Sequence, residues 1–75
     1  MIILGIDPGS IKCGYGLIGI NEKDPFYITS GTISASPSKP LHQRLKHIFE
    51  SLQNIIRSNR PDDIVVEKIF FAKGA

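Results

Sequence analysis

The chain has 75 residues, 41% apolar and 21% charged, with a formal charge of +2, which excludes a disordered chain and allows one small domain. So short a domain buries only roughly 60% of the surface its unfolded chain exposes, and its mild charge permits nucleic-acid binding without demanding it. The lone cysteine, Cys13, excludes an internal disulfide framework and a cysteine zinc cluster, and fits a reducing, cytoplasmic setting.

In chain order, Met1–Ile6 is an apolar, partly β-branched run bounded by Asp7-Pro8-Gly9. It is far too short for a membrane span or a signal peptide and predicts a buried strand followed by a turn. Gly14–Ile20 predicts a second strand, with glycines where backbones approach closely. Asn21–Pro25 is a polar turn. Phe26–Ala35 predicts a third strand, with Phe26, Ile28, Ser30, Thr32 and Ser34 on one face. Tyr27, Thr29, Gly31, Ile33 and Ala35 fall on the other. Ser36–Pro40 breaks the pattern. Leu41, Leu45, Ile48, Phe49, Leu52, Ile55 and Ile56 then recur at spacings of three and four, the mark of an amphipathic helix. Pro40 opens it, Asn59 and Pro61 mark its stop, and Arg57 and Arg60 suit the negative end of its dipole. After Asp62-Asp63, the apolar run Ile64–Val66 has no polar alternation, so a strand buried on both faces is expected, ending at Glu67.

The order strand, strand, strand, helix, strand implies an α/β mixed sheet. Short connections make the first three strands antiparallel neighbours. The helix allows a right-handed crossover that sets the last strand parallel to an earlier one. The first and last strands, the most apolar, are the expected central pair.

Each of those strands ends in a carboxylate, Asp7 or Glu67. On parallel neighbours roughly 4.8 Å apart, the two acids emerge at one edge of the sheet. They would repel by about 3 kcal/mol at an effective dielectric near 20, a penalty that a divalent cation between them removes. Magnesium takes oxygen ligands, commonly one or two carboxylates with water and substrate phosphate. The same residues equally suit an Asp-Pro-Gly turn and a solvated strand end. Gly5, Gly9, Gly14 and Gly16 fit a tight hairpin better than a phosphate cradle. Phe70 and Phe71 offer a ring for an unpaired base or a core contact, and Lys68 and Lys73 offer phosphate contacts or plain solvation. His42 and His47 lack the spacing of a metal pair and are expected at the surface. Cys13 has no histidine near it in sequence and is expected to be a small buried or half-buried residue. Lys12 and Tyr15 carry little signal alone.

Ile3-Leu4-Gly5-Ile6-Asp7-Pro8-Gly9-Ser10 followed by Gly14-Tyr15-Gly16 resembles the opening of the RuvC Holliday junction resolvases. Ser30-Gly31, Arg44-Leu45 with Ile48, and Pro61-Asp62 also match. Val66–Ala75 resembles the family's second acidic motif, with a phenylalanine three residues after the glutamate and then an Ala-Lys pair. The resemblance implies a ribonuclease-H-like fold and a structure-specific endonuclease that resolves four-way DNA junctions in recombination and repair by metal-assisted hydrolysis. Asp7 and Glu67 would be the first two of the family's four catalytic, metal-binding acids, with Mg2+ as cofactor and Mn2+ as a substitute. Phe70 would engage the junction's opened bases, with Lys73 as a further DNA contact. The family acts as a homodimer, each subunit nicking one of two strands of like polarity, and works with a junction-migration helicase complex in the cytoplasm, with no membrane involvement. Its other two acids lie beyond the equivalent of Ala75. Residues 1–75 are therefore expected to be the N-terminal part of a single ribonuclease-H-like nuclease domain, inactive alone. The remaining acids, Glu22, Asp24, Glu50, Asp62 and Asp63, fall in turns, on the helix or at the far end of the last strand.

Three rivals carry different expectations. An actin-like ATPase or kinase also opens with a strand, an acid and a Gly-Ser/Thr turn, but has a second phosphate motif that this chain lacks. A shorter resolvase-like relative carries a Gly-Leu-Pro segment in place of Glu67-Lys68-Ile69-Phe70. A non-catalytic interaction module would keep the fold and tolerate loss of Asp7.

Overall fold

The computed structural model describes residues 1–67. It contains β1 (Ile2–Asp7), β2 (Lys12–Asn21), β3 (Asp24–Ser34), α1 (Leu41–Asn59) and β4 (Asp63–Val66), in the expected order. The sheet runs β3-β2-β1-β4. β1 pairs antiparallel with β2, β2 antiparallel with β3, and β1 parallel with β4, so α1 is the crossover that makes the parallel pair possible.

Local chemistry explains the elements. β2 and β3 join through Glu22-Lys23, and Glu22 takes a φ of 60°, as a two-residue hairpin requires. Pro25 is tolerated because β3 is an edge strand. Pro40 is the N-cap before α1, with a fixed φ of −61° that suits a helix entry, and its carbonyl accepts bonds from the amides of Gln43 and Arg44. α1 ends at Asn59, as expected. Arg60 takes the left-handed conformation and donates its amide to Ile56 O at 2.8 Å, and Pro61 prevents continuation.

The core lies between the sheet and α1. Leu4 and Leu17, cross-strand partners, are fully buried at the sheet's centre. Ile48 of α1 packs with Cys13, Ile33 and Ala35, and half-buried Ile6, Tyr15, Leu52 and Ile55 extend this cluster. Cys13 is buried as expected, and His42 and His47 are exposed as expected.

Two expectations are corrected. β3 does not alternate cleanly, because a bulge shifts its register against Leu17 and Ile18. Phe26 pairs with Gly19 and Tyr27 with Ile18, so Ile28 is the extra residue and the phase reverses there. Phe26 thus joins the face of Thr29, Gly31 and Ile33, where its ring fills the space above Gly19. The second correction concerns β4. It lies at the sheet's edge among the described residues, with Ile64, Val65 and Val66 exposed rather than buried on both faces. Only β1 of the expected central pair is central.

Candidate active site

The parallel register Ile3↔Asp63 to Ile6↔Val66 fixes the ends of β1 and β4 together. The Glu67 amide donates to Ile6 O at 3.0 Å, so the ladder runs one step past Val66 and sets Glu67 beside Asp7. At the other end Asp62 locks the register. Its amide donates to Ile2 O at 2.7 Å, and its carboxylate Oδ2 accepts the Ile2 amide at 2.7 Å.

Asp7 and Glu67 are both exposed and both line one cavity of about 370 Å³ on the sheet face away from α1. Its floor is glycine. Gly5 and Gly16 are cross-strand partners, and Gly14 lies opposite Asp7. A Cβ at Gly16 would meet nothing within 4 Å, and one at Gly14 would rest 3.7 Å from the Asp7 Cβ, an ordinary contact. Both glycines are mid-strand and do not serve the hairpin turn; that task falls to Gly9, where a Cβ would overlap the Lys12 carbonyl. Their effect is to leave open space next to the two acids. Gly31 is different: a Cβ there would come 2.7 Å from the Tyr15 hydroxyl, so it makes room for that ring.

The donor set suits a hard cation. Two carboxylates on neighbouring parallel strands, open to solvent, match the one or two that magnesium usually takes from protein. Among the described residues, no group of three or more His, Cys, Asp or Glu side chains is placed to hold a metal ion. Beneath the site, burial pushes the Cys13 thiol above its ordinary value, with a further rise from the Asp7 charge against a lowering hydrogen bond from the Gly9 backbone. Phe70 and Lys73 lie outside the described residues.

Sequence reasoning missed the residue that steadies the turn after Asp7. Arg44 Nη1 donates to Ser10 Oγ at 3.0 Å, while Arg44 Nε donates to Lys39 O at 3.1 Å. The Arg44-Leu45 pair was visible only as part of a family motif. Nothing in periodicity links it to a serine 34 residues away.

A β3-β2-β1-β4 mixed sheet, with one crossover helix and paired acids at the ends of its parallel strands, defines a ribonuclease-H-like protein. The family model for crossover junction endodeoxyribonuclease RuvC matches residues 3–75. The chain belongs to the RuvC family. It is 47% identical to the RuvC of Saccharophagus degradans over 74 residues, covering 99% of this chain and 43% of that protein. It is likewise 47% identical to the RuvC of Shewanella piezotolerans, covering 99% of this chain and 42% of the relative. Among solved structures, Thermus thermophilus RuvC in complex with a Holliday junction substrate superposes with a TM-score of 0.82 and 27% identity, over 97% of this chain and 46% of that one. The chain thus spans less than half the length of these relatives. Nothing in these matches supports the ATPase or interaction-module readings. No helix among the described residues is long and apolar enough to cross a membrane.

Proposed function

We propose that this chain is the N-terminal part of a single nuclease domain that resolves four-way DNA junctions by divalent-metal-dependent phosphodiester hydrolysis, with Asp7 and Glu67 as catalytic metal ligands. The observation that carries the reading is the parallel β1–β4 register, which puts these two acids side by side in a chain of the RuvC family. The Thermus relative solved with a Holliday junction substrate supports the choice of DNA.

Asp7 and Glu67 would hold Mg2+, or Mn2+ in its place, which when bound would supply a water nucleophile at neutral pH and charge stabilisation for the leaving oxygen. The chain's own residues do the positioning. Asp7 is held by the end of β1 and by the Gly9 turn that follows it, and Glu67 by its amide bond to Ile6. The glycine floor leaves the space a DNA phosphate needs to reach both carboxylates. Phe70 stacks on an unpaired base, a contact worth about 1–3 kcal/mol, and Lys73 meets a phosphate. Their match to the family motif supports both roles. The working unit is a homodimer, partnered by a junction-migration helicase complex and acting in the cytoplasm in recombination and repair.

The test is nicking of a synthetic four-way junction by the full-length gene product with magnesium. Paired nicks in strands of like polarity are expected. Asp7→Asn should lower their rate at least about 100-fold, since metal charge stabilisation is worth several kcal/mol, and should spare junction binding. Unchanged nicking by Asp7→Asn would sink the assignment.

A further inference from the structure

We propose that a second, basic pocket beside the N-terminal half of α1 holds a DNA backbone phosphate, away from the one that is cut. The inference rests on the nuclease reading above and adds to it a contact for the uncut part of the strand.

The pocket, about 290 Å³, lies between the end of β3, the Ser36–Lys39 turn and α1. Its polar lining comes from Ser34, Ser36, Lys39, Gln43, Arg44 and His47: hydroxyls, an amide and basic side chains, with no carboxylate. Among the described residues the ion pair present is Lys46–Glu50 at 3.8 Å, so neither Lys39 nor Arg44 has its charge answered by an acid. Arg44 is half-buried and already fixed, because it spends Nε on Lys39 O and Nη1 on Ser10 Oγ. Both acceptors are neutral, and the planar guanidinium keeps further N–H donors for a third. A cation ordered in advance, uncompensated and facing hydroxyls is suited to a tetrahedral anion, since little side-chain entropy remains to be lost on binding.

Position says which anion. The Ala35 amide donates to Ile11 O at 2.7 Å, and Lys12 pairs with Ser34, so the pocket sits at the edge of the sheet where Asp7 ends β1. Across the sheet, β1 to β3 is two strand spacings, roughly 10 Å, and the pocket lies on the α1 side while the acids face away from α1, so the separation is larger than that. It exceeds about three nucleotide rises of 3.4 Å along a DNA strand. Arg44 joins the two places physically, touching the pocket and the turn that follows Asp7. A strand with one phosphate at Asp7 and Glu67 reaches this pocket with another a few nucleotides away.

The experiment measures affinity of the full-length gene product for a four-way junction as a function of salt. It compares wild type, Lys39→Gln/His47→Gln, Lys39→Arg and Lys46→Gln, with melting temperature as the check on folding. The double variant should bind several-fold more weakly, with a log–log salt slope shallower by about one. Lys39→Arg and Lys46→Gln should keep the wild-type slope. In parallel, inorganic phosphate should shift the Ser36 and Arg44 amide resonances of wild type and leave those of the double variant in place. A folded double variant with wild-type affinity and slope overturns the proposal. So does a phosphate response with no change in the DNA slope, which would make the pocket an anion site unrelated to DNA. Nicking by wild type is scored separately: altered slopes without any nicking would retain the phosphate pocket and discard the nuclease reading.

Discussion

Asp7 and Glu67 owe their meeting to backbone, not to each other. Two like charges side by side gain nothing for folding, and the ladder from Ile3↔Asp63 to the Glu67 amide holds them there regardless. This pairing was legible in the sequence because both acids directly follow apolar β-branched runs, and a helix of this length between strands permits a parallel return. Cys13 was legible as a small buried or half-buried residue because no histidine stands near it in sequence to give it a chemical role. Its environment carries a prediction. Burial raises the thiol's folded pKa above the ordinary 9.0, which favours the neutral form. Stability from this group is therefore fully present below the unfolded value and is lost as pH rises through the folded one. Iodoacetamide at neutral pH should label Cys13 slowly in the folded protein and rapidly once urea unfolds it; equal rates would contradict the burial. The Arg44–Ser10 bond was not legible, because a side-chain contact across 34 residues leaves no trace in local periodicity.

At the level of elements, the helix and all four strands follow from pattern and punctuation, while their exposure does not. Ile64–Val66 has the composition of a doubly buried strand, yet burial depends on what lies beside β4, which composition does not encode. The β3 bulge escaped for a related reason. Tyr27 and Ile28 are both apolar enough for either face, so the extra residue left the alternation only blurred. Asp62 is the element-level counterpart of the acids at the site. Its carboxylate and amide clamp both polar groups of Ile2 and so fix how far β4 slides along β1. Asp62→Ala should cost about 1–2 kcal/mol, the net worth of a hydrogen bond to a charged acceptor at an exposed position. Asp62→Asn, which keeps an oxygen acceptor, should cost less. Urea denaturation reads both as shifts in midpoint at constant slope, and an Asp62→Ala midpoint equal to wild type would show that the clamp does not hold the register.

The molecule as a whole is thin. Its radius of gyration is 13.9 Å, against roughly 11 Å for a compact domain of this size. α1 covers one face of the sheet, while Ile18 and Val65 on the other face remain exposed. A core of this size rarely supplies more than about 3–5 kcal/mol. The isolated 75-residue chain should therefore unfold in urea with a stability no greater than that. A value above about 8 kcal/mol would mean that the open face is covered in solution, by self-association or otherwise.

The proposal that Asp7 and Glu67 share a cation is tested most directly by paramagnetic broadening. Mn2+ titrated into the full-length gene product should broaden the amide resonances of Asp7 and Glu67 first and together. Asp7→Asn and Glu67→Gln should each weaken the effect at both positions. Broadening that centres instead on Asp62 and Asp63 at the opposite end of β4, or that follows one acid and ignores loss of the other, would contradict a shared site.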